Sequence, residues 1–390
     1  MNIVEKARRQ NRKRNDFRYV NTYPKNTLDS IQALRGFAAL LVVFFHYGIT
    51  LRLDQSNPLA IIFSHGWSGV DMFFIISGFI AAHTVDNQSS GFYAGMEYLI
   101  KRISRIVPLY YLVTIFSAGH SMESLIETGK SLLFIPLGGL PPDSLGPLYG
   151  GARVGQGWTL NYEMYFYLIV SISFLFGKMK WFFTAGFMVI TLLTPIIIYG
   201  TPDSYGFSGF NFEWFYLGLM TNPIILEFII GILVFYVFSR MDGKFSIAWL
   251  IFTPILILIY AINLYSPFYF NSRITAWAIP SALLIIAMLK LEVTGKIKIN
   301  SLIMYVGNIS FSIYLLHESA QGMLLKVIKH LSGNEHVFSN ISMRLLLFVM
   351  SLTLTFYVSG LSYKYVENKL SINLRSFLLS KIATRKKQPE

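Results

Sequence analysis

A series of apolar segments, most of them long enough to cross a membrane as helices, is the feature that most limits how this chain can fold. About 20 apolar residues in a helix cross a hydrocarbon core about 30 Å thick. Only 14% of the 390 residues are charged and 54% are hydrophobic, whereas soluble domains carry about 25% charged residues. The sequence therefore predicts an all-α, polytopic integral membrane bundle of about ten transmembrane helices. We place the spans at residues 30–49, 67–85, 106–118, 158–176, 181–199, 222–239, 246–263, 274–290, 301–318 and 343–365.

The distribution of Lys and Arg over the connecting segments predicts the orientation of these spans. With the N-terminus inside, 26 of the 33 Lys and Arg residues fall in inner segments, as the positive-inside rule requires. Both termini are then cytoplasmic, and the net charge of +13 reflects topology rather than a nucleic-acid partner. The chain divides into a basic cytoplasmic tail (1–27), a membrane domain (28–370) and a second basic cytoplasmic tail (371–390). We expect the tails to contact anionic membrane lipid.

The absence of cysteine and the form of the N-terminus exclude further classes. Without cysteine there can be no disulfide, no thiolate metal site and no cysteine nucleophile, and we expect no metal. No small-residue cleavage site follows the first span, so that span is expected to remain as a signal anchor. The outer segment 119–157 contains several prolines and glycines and should be irregular, although a further, partly buried helix could lie around residues 132–137. It is either a simple connector or a segment that selects a substrate.

Ionisable side chains gather in the outer layer of the predicted bundle, where they are costly unless they are paired or solvated. His46 and Asp71 lie about one turn below the outer surface on consecutive spans, which makes a histidine–carboxylate pair plausible. Such a pair suits general-base work. Glu163 lies at a similar depth on the fourth span, where it could instead cap its helix. The ninth span carries Tyr314, His317 and Glu318 toward its outer end, and Glu227 lies in the outer half of the sixth. His46 alone could serve a packing hydrogen bond.

A cluster of cations marks the opposite, inner surface. Arg35 shares a helical face with His46 and lies about 16 Å from it, from eleven residues of helical rise. Arg102 and Arg105 are three residues apart on one face, next to Lys101. Arginine forks suit phosphate oxygens, although positive-inside anchoring or snorkelling to lipid would also explain these residues.

Five segments that contain these residues resemble the membrane-bound acyltransferase 3 family, and they occur in order over residues 28–367. Phe311 departs from the pattern, because tyrosine is common there. The matching segments are Leu34-Arg35-Gly36 with His46, Gly69-Val70-Asp71 through Ser77 to Phe79, Lys101-Arg102-Ile103-Ser104-Arg105 through Tyr110, Trp158-Thr159-Leu160 with Glu163, and Gly307 through Tyr314 to His317.

The resemblance implies a membrane O-acyltransferase that uses acetyl-CoA, or another acyl-CoA, as cytoplasmic donor and binds no permanent cofactor. The acceptor would be a surface glycan, such as lipopolysaccharide O-antigen or exopolysaccharide, or a lipid-linked saccharide. By motif match, His46 is the essential catalytic histidine and Arg35, Arg102 and Arg105 are essential arginines. Asp71 and Glu163 occupy motif positions, and Ser77, Tyr314 and His317 are further candidate site residues.

The resulting hypothesis is that coenzyme A docks its phosphates on Arg102, Arg105 and Lys101 and threads its pantetheine past Arg35 toward His46. His46, oriented by Asp71 or Glu163, would act as a general base or as an acyl-accepting nucleophile. We expect the protein in a bacterial cytoplasmic membrane. A proton-coupled transporter of a glycan or metabolite would also place ionisable residues in a bundle, and a membrane scaffold would show no turnover. The oligomeric state stays open.

Overall fold

A computed structural model of the chain describes residues 28–386 except 55, 87, 139–150, 202–208, 211, 267–271 and 334–339. The predicted N-terminal tail and the middle of segment 119–157 lie outside the described residues. Within them the fold is helical and contains no strand. The α-helices are α1 Asp29–Leu51, α2 Pro58–Ser64, α3 Gly69–Val85, α4 Phe92–Phe116, α5 Met122–Leu132, α6 Gly157–Ser173, α7 Lys180–Tyr199, α8 Phe215–Met220, α9 Leu226–Ser239, α10 Ile247–Tyr265, α11 Ile279–Val293, α12 Ser301–Asn308, α13 Ser310–Ser332, α14 Ile341–Ser362 and α15 Ser371–Lys386. Two π-helical segments, Ile274–Ala278 and Tyr363–Leu370, precede α11 and α15.

The helices include several that are long and apolar enough to cross a membrane. Among the described residues there are six such continuous helical segments, so the chain is a multi-pass membrane protein. One of them, Gly157–Tyr199, holds two of the predicted spans, and the chain breaks between them at Gly177, where φ is +60°. The sixth predicted span appears as a shorter apolar helix, Pro223–Ser239. The count of ten spans stays a prediction.

Two helices extend well beyond the predicted spans. The third predicted span, 106–118, is only the second half of α4, which already begins at Phe92. Lys101, Arg102 and Arg105 are therefore helical, as the shared face of the two arginines implies. Residues 371–386 of the basic C-terminal tail form α15, which packs against α4. Both helices border the polar cavity described below.

Helix α1 has a central place in the bundle, because it packs against α3, α12, α13 and α14. Its contact with α12 depends on small residues. A Cβ added to Gly307 would lie 2.2 Å from the Gln32 carbonyl oxygen, and one added to Gly36 would lie 2.9 Å from the Gly307 nitrogen. Only glycine permits this approach of the two backbones. The contact holds the Arg35 turn of α1 directly against the junction between α12 and α13.

Candidate active site

His46 lies near the end of α1 and has a different partner at each ring nitrogen. Its Nδ1 lies 2.9 Å from the Val42 carbonyl oxygen, and because a carbonyl only accepts, Nδ1 carries a proton. Its Nε2 lies 2.9 Å from Glu318 Oε1 on α13. The His46 side chain is 26% exposed and that of Glu318 is 37% exposed. The His46–Glu318 pair is therefore the partly open end of the site, and a hydroxyl can reach it.

His317 is fully buried behind this pair and contacts His46 on its Nδ1 side. Its Nδ1 lies 2.7 Å from the Tyr314 carbonyl oxygen and 3.2 Å from that of Ile313, so Nδ1 is the donor and Nε2 the acceptor. The His317 Nε2 atom lies 3.2 Å from His46 Nδ1 and 3.4 Å from Gln156 Nε2. The two imidazoles and the Gln156 amide thus form one hydrogen-bonded chain.

Tyr314 stands between this chain and the interior of the bundle. Its hydroxyl lies 2.9 Å from Thr159 Oγ1 and donates to the Gln156 carbonyl oxygen at 3.3 Å. Its ring packs edge-on against Phe73 with 5.5 Å between centroids. Two of the candidate residues from the ninth predicted span, Tyr314 and His317, are therefore brought together with His46.

The carboxylates that were expected to orient His46 have other partners in the structure. Asp71 is fully buried, and its two oxygens accept hydrogen bonds from Arg273 at 3.1 and 2.9 Å. Glu163 accepts a hydrogen bond of 2.6 Å from Ser77. Glu318 contacts His46 instead. Equal depth on neighbouring helices fixes the height of a side chain but not the side of the helix on which it lies, so depth alone does not identify the partner. A catalytic role for Asp71 and Glu163 stays a prediction.

The Asp71–Arg273 ion pair is buried, and we expect it to stabilise the fold. The Arg273 guanidinium also lies 4.5 Å from the centre of the Trp67 ring, and the buried Glu227 carboxylate neighbours Asp71. Removing one partner of a buried ion pair costs about 3–5 kcal/mol. We expect Arg273→Ala to lower the midpoint of thermal unfolding in detergent by several degrees, whereas the exposed Arg240→Ala leaves it unchanged. Unchanged unfolding with lost turnover would contradict a structural role.

A narrow cavity of about 70 Å³ lies among α3, α4 and α6 and runs along the bundle. On α3 it is lined from Val70 to Ile80, which is about 15 Å of helical rise. Arg35, Arg102 and Arg105 line it toward the end of α3 that holds Ile80. Its other lining residues are largely apolar, namely Phe73, Phe74, Ile76, Ser77, Ile106, Thr159, Leu160, Glu163, Tyr167, Phe311 and Tyr314. We call this cavity the tunnel. It leads from the three arginines to the wall that Tyr314 and Thr159 share with the His317–His46 chain.

A second, larger and more polar cavity of about 480 Å³ opens at the arginine end, and we call it the vestibule. Arg35, Arg102 and Arg105 line both cavities, so they form the passage from one to the other. The vestibule is lined by five cations and one carboxylate, Glu367. Its lining residues are Gln32, Arg35, Thr84, Gln88, Tyr98, Lys101, Arg102, Ser104, Arg105, Asn308, Tyr363, Glu367, Asn368, Ser371, Ile372 and Arg375. Such a charge balance favours a polyanion.

The arginines at this passage are held by specific contacts. Arg102 donates to Thr84 Oγ1 at 2.9 Å, and its guanidinium lies over the rings of Tyr98 and Tyr167, 5.2 and 5.5 Å from their centres. Arg35 is buried and donates to Gln32 at 3.1 Å. Helix α4 therefore presents Arg102 as a preorganised donor rather than as a freely moving surface cation.

Lys101 and Ser77, two further predicted site residues, have different places. Lys101 lines only the vestibule and forms an ion pair of 2.6 Å with Glu97, four residues back on the same helix. Ser77 lies on the tunnel wall, where it fixes Glu163, which also accepts from Tyr167 at 3.3 Å. Glu163 is thus a carboxylate of the tunnel, close to the arginines.

His46, His317 and Glu318 are also the group of described residues whose ligand atoms lie close enough, within 4.8 Å of one another, to hold a metal ion. In both histidines Nδ1 already donates to a carbonyl oxygen, and Nε2 of His317 already faces His46 Nδ1. The geometry therefore does not require a metal, and the expectation of a site without one stays a prediction.

Three contributors to the site were not identified as site residues from sequence. Glu318 directly follows His317 in the ninth predicted span and was placed in the outer layer, but it was not identified as the partner of His46. Gln156 lies at the end of the irregular segment 119–157, one residue before α6, and carried no signal. Glu367 follows the last predicted span, where a charged residue is ordinary.

Sequence comparisons relate the chain to known proteins. A family model described as an acyltransferase domain, Acyl_transf_3, matches residues 28–360. The "Exopolysaccharide production protein ExoZ" of Rhizobium meliloti is 31% identical over 277 residues, which cover 68% of this chain and 79% of that protein. The "Putative acetyltransferase ORF330" of Acidianus two-tailed virus is 28% identical over 306 residues, covering 76% of this chain and 84% of that protein. No solved structure matches the chain significantly.

Proposed function

The chain belongs to the acyltransferase 3 family and is an acyltransferase, and on that premise we propose that it moves an acetyl group from cytoplasmic acetyl-CoA to a hydroxyl of a cell-surface polysaccharide or its lipid-linked precursor. The observation that carries this proposal is the tunnel, because it joins three arginines at a cationic vestibule to the wall beside His46. In this proposal the ten spans lie in a bacterial cytoplasmic membrane with both termini inside.

The donor is inferred from the order of chemical environments along the two cavities. The vestibule, with five cations against one carboxylate, suits phosphates. The tunnel is narrow and mostly apolar, which suits a pantetheine arm. Its length along α3, about 15 Å, would bring a thioester to Tyr314 and Thr159. These two side chains separate the tunnel from the buried His317, which in turn contacts His46. The proposal therefore requires Tyr314 and His317 to move before the thioester meets the acceptor at His46.

The acceptor is inferred from the open side of the site and from a relative. The His46–Glu318 pair is partly exposed, so a large acceptor can approach it without entering the bundle. A relative that shares 31% identity is named for exopolysaccharide production. A polysaccharide hydroxyl is therefore the acceptor that we propose, on the face opposite to the donor.

In the proposed reaction the acyl group moves from coenzyme A to the acceptor oxygen, and one proton moves from the acceptor hydroxyl to the leaving thiolate. The acceptor hydroxyl gives its proton to the His46–Glu318 pair, in which Nε2 and Oε1 lie 2.9 Å apart and share it. The acceptor oxygen then bonds to the thioester carbonyl carbon. The bond from that carbon to sulfur breaks, and the leaving thiolate takes the proton from the pair. The products are the O-acetylated acceptor and free coenzyme A.

The test of this function is turnover of acetyl-CoA by the purified full chain in nanodiscs, followed as free thiol, with and without a surface-glycan extract. We expect thiol release that depends on the extract, together with acetyl ester on the glycan. Folded protein that releases no thiol with any extract would overturn the proposal. Gradient-driven accumulation of a glycan in vesicles, without thiol release, would identify a transporter instead.

The His46–Glu318 contact gives a prediction of its own. We expect Glu318→Gln to lower kcat about 10- to 100-fold with KM for acetyl-CoA little changed, because an amide cannot share the proton that Nε2 receives. The matched control is Glu123→Gln in the first turn of α5, which should keep full kcat. A rise in KM at unchanged kcat would show that Glu318 serves donor binding and not proton transfer.

A further inference from the structure

The last wall of the vestibule lies beyond the domain that the family match covers. That match ends at residue 360, yet a group of vestibule residues follows it in the π-helical segment and in α15. These residues are Tyr363, Glu367, Asn368, Ser371, Ile372 and Arg375. The part of the vestibule that they form is therefore not explained by membership of the family, and its chemistry must be read from the residues themselves.

This wall is fixed to the membrane domain by hydrogen bonds and packing. Glu367 Oε1 accepts a hydrogen bond of 2.5 Å from Ser312 Oγ on α13, and Ser312 Oγ lies 2.9 Å from Ser362 Oγ. Helix α15 packs along α4. A π-helical turn is rare and is frequently found at functional sites, and here it carries the helix from the bundle to the vestibule wall. The wall is thus an ordered part of the cavity.

The cations of the vestibule differ in whether they also line the tunnel. Arg35, Arg102 and Arg105 line both cavities, whereas Lys101 and Arg375 line the vestibule alone. Lys101 is already paired with a carboxylate at 2.6 Å. For Arg375, no carboxylate of the described part of the chain lies within ion-pair distance. Among the vestibule cations of the described residues, Arg375 is therefore the one that neither lines the tunnel nor has an ion-paired carboxylate.

Coenzyme A carries its charges in a matching order. Its pantetheine arm is joined through a pyrophosphate to an adenosine with a phosphate on the 3′ oxygen. With the arm in the tunnel, the pyrophosphate falls at the three shared arginines, and the 3′-phosphate falls farther out. A phosphomonoester carries a charge of about −1.5 to −2 at pH 7, which calls for a cation of its own.

We propose that residues 363–375 form the nucleotide subsite of the donor and that Arg375 binds the 3′-phosphate of coenzyme A. This inference rests on the proposed function, because it assumes a coenzyme A thioester as donor. It adds a specificity-determining residue outside the family domain, which distinguishes coenzyme A from thioesters that have pantetheine but no 3′-phosphate.

The test compares two donors on two variants of the full chain in nanodiscs. The donors are acetyl-CoA and its 3′-dephospho analogue, and the measured quantity is the dissociation constant of each. We expect Arg375→Gln to weaken acetyl-CoA binding about tenfold, the size of one charge-assisted hydrogen bond at a partly solvated site, and to leave the dephospho analogue unchanged. Arg375→Lys should retain part of the preference.

The control is Lys381→Gln, which removes one positive charge from the same helix at a residue that does not line the vestibule. It should leave both dissociation constants unchanged. Equal weakening of both donors by Arg375→Gln, or no weakening of either, would overturn the assignment of the 3′-phosphate to Arg375. If the unaltered protein binds neither donor, the proposed function itself has failed, which is a separate and recognisable result.

Discussion

Replacing His46 by alanine should lower the rate of acetyl transfer at least a hundredfold and leave the affinity for acetyl-CoA nearly unchanged. Positioned general bases contribute about 10²- to 10⁴-fold to a rate, and Nε2 of His46 is the ring nitrogen that faces Glu318 and the open side of the site. Affinity should survive because His46 does not line the tunnel or the vestibule. The measurements are thiol release and acetyl-CoA binding on the same nanodisc preparation.

The matched control is His330→Ala, which removes an exposed histidine from the last turn of α13 and should keep full activity. His46→Gln is the sharper variant, because the amide can still donate to the Val42 carbonyl oxygen but cannot act as a base. If either His46 variant transferred acetyl groups at the normal rate, the proposed role of His46 would have to be abandoned. A large loss of acetyl-CoA affinity would instead place His46 in donor binding.

The placement of Arg35 and His46 shows what helical geometry alone predicts. Eleven residues on one helix fix both the distance and the shared face, and the structure has the arginine at the shared passage of the two cavities and the histidine in the partly open pair. The apolar segments likewise predict an all-helical membrane protein. These are properties of single helices, for which the sequence is sufficient.

The partner of His46 shows where such reasoning ends. Asp71 and Glu318 both lie in the outer layer by span position, and depth alone does not choose between them. The choice depends on how each helix is rotated in the bundle. In the structure Asp71 faces Arg273, whereas Glu318 faces His46. Arg273 is far away in sequence and was read only as a loop cation. Contacts between distant helices are set by packing, and a single sequence does not specify them.

The vestibule shows the same limit at the other end of the molecule. Arg102 and Arg105 were identified from their spacing and the segment around them, and both line the passage between the cavities. Arg375 was read as part of the basic C-terminal tail, and Glu367 as a charged residue just after the last predicted span. They become site residues only because α15 turns back along α4, a long-range contact with no signal in local composition.

The joint replacement Arg102→Gln and Arg105→Gln should weaken acetyl-CoA binding about 100-fold or more. Hydrogen bonds to charged groups contribute about 1.5–3 kcal/mol each, and both guanidiniums line the passage where we place the pyrophosphate. Glutamine keeps a polar side chain against Tyr98 and Tyr167, so the packing of α4 should be largely preserved. The effect should therefore appear in the dissociation constant and in KM, with kcat at saturation changed much less.

A donor without phosphates separates binding from structure in this experiment. Acetyl-pantetheine contains the same thioester and arm, so its kcat/KM should be equal in the altered and unaltered proteins if the arginines act through phosphate. The matched control, Arg240→Gln with Lys244→Gln, removes two positive charges that lie outside both cavities and should leave both donors unaffected. An equal loss with acetyl-pantetheine would mean that the arginines support the fold of the tunnel, and an unchanged affinity for acetyl-CoA would remove the phosphate site from the mechanism.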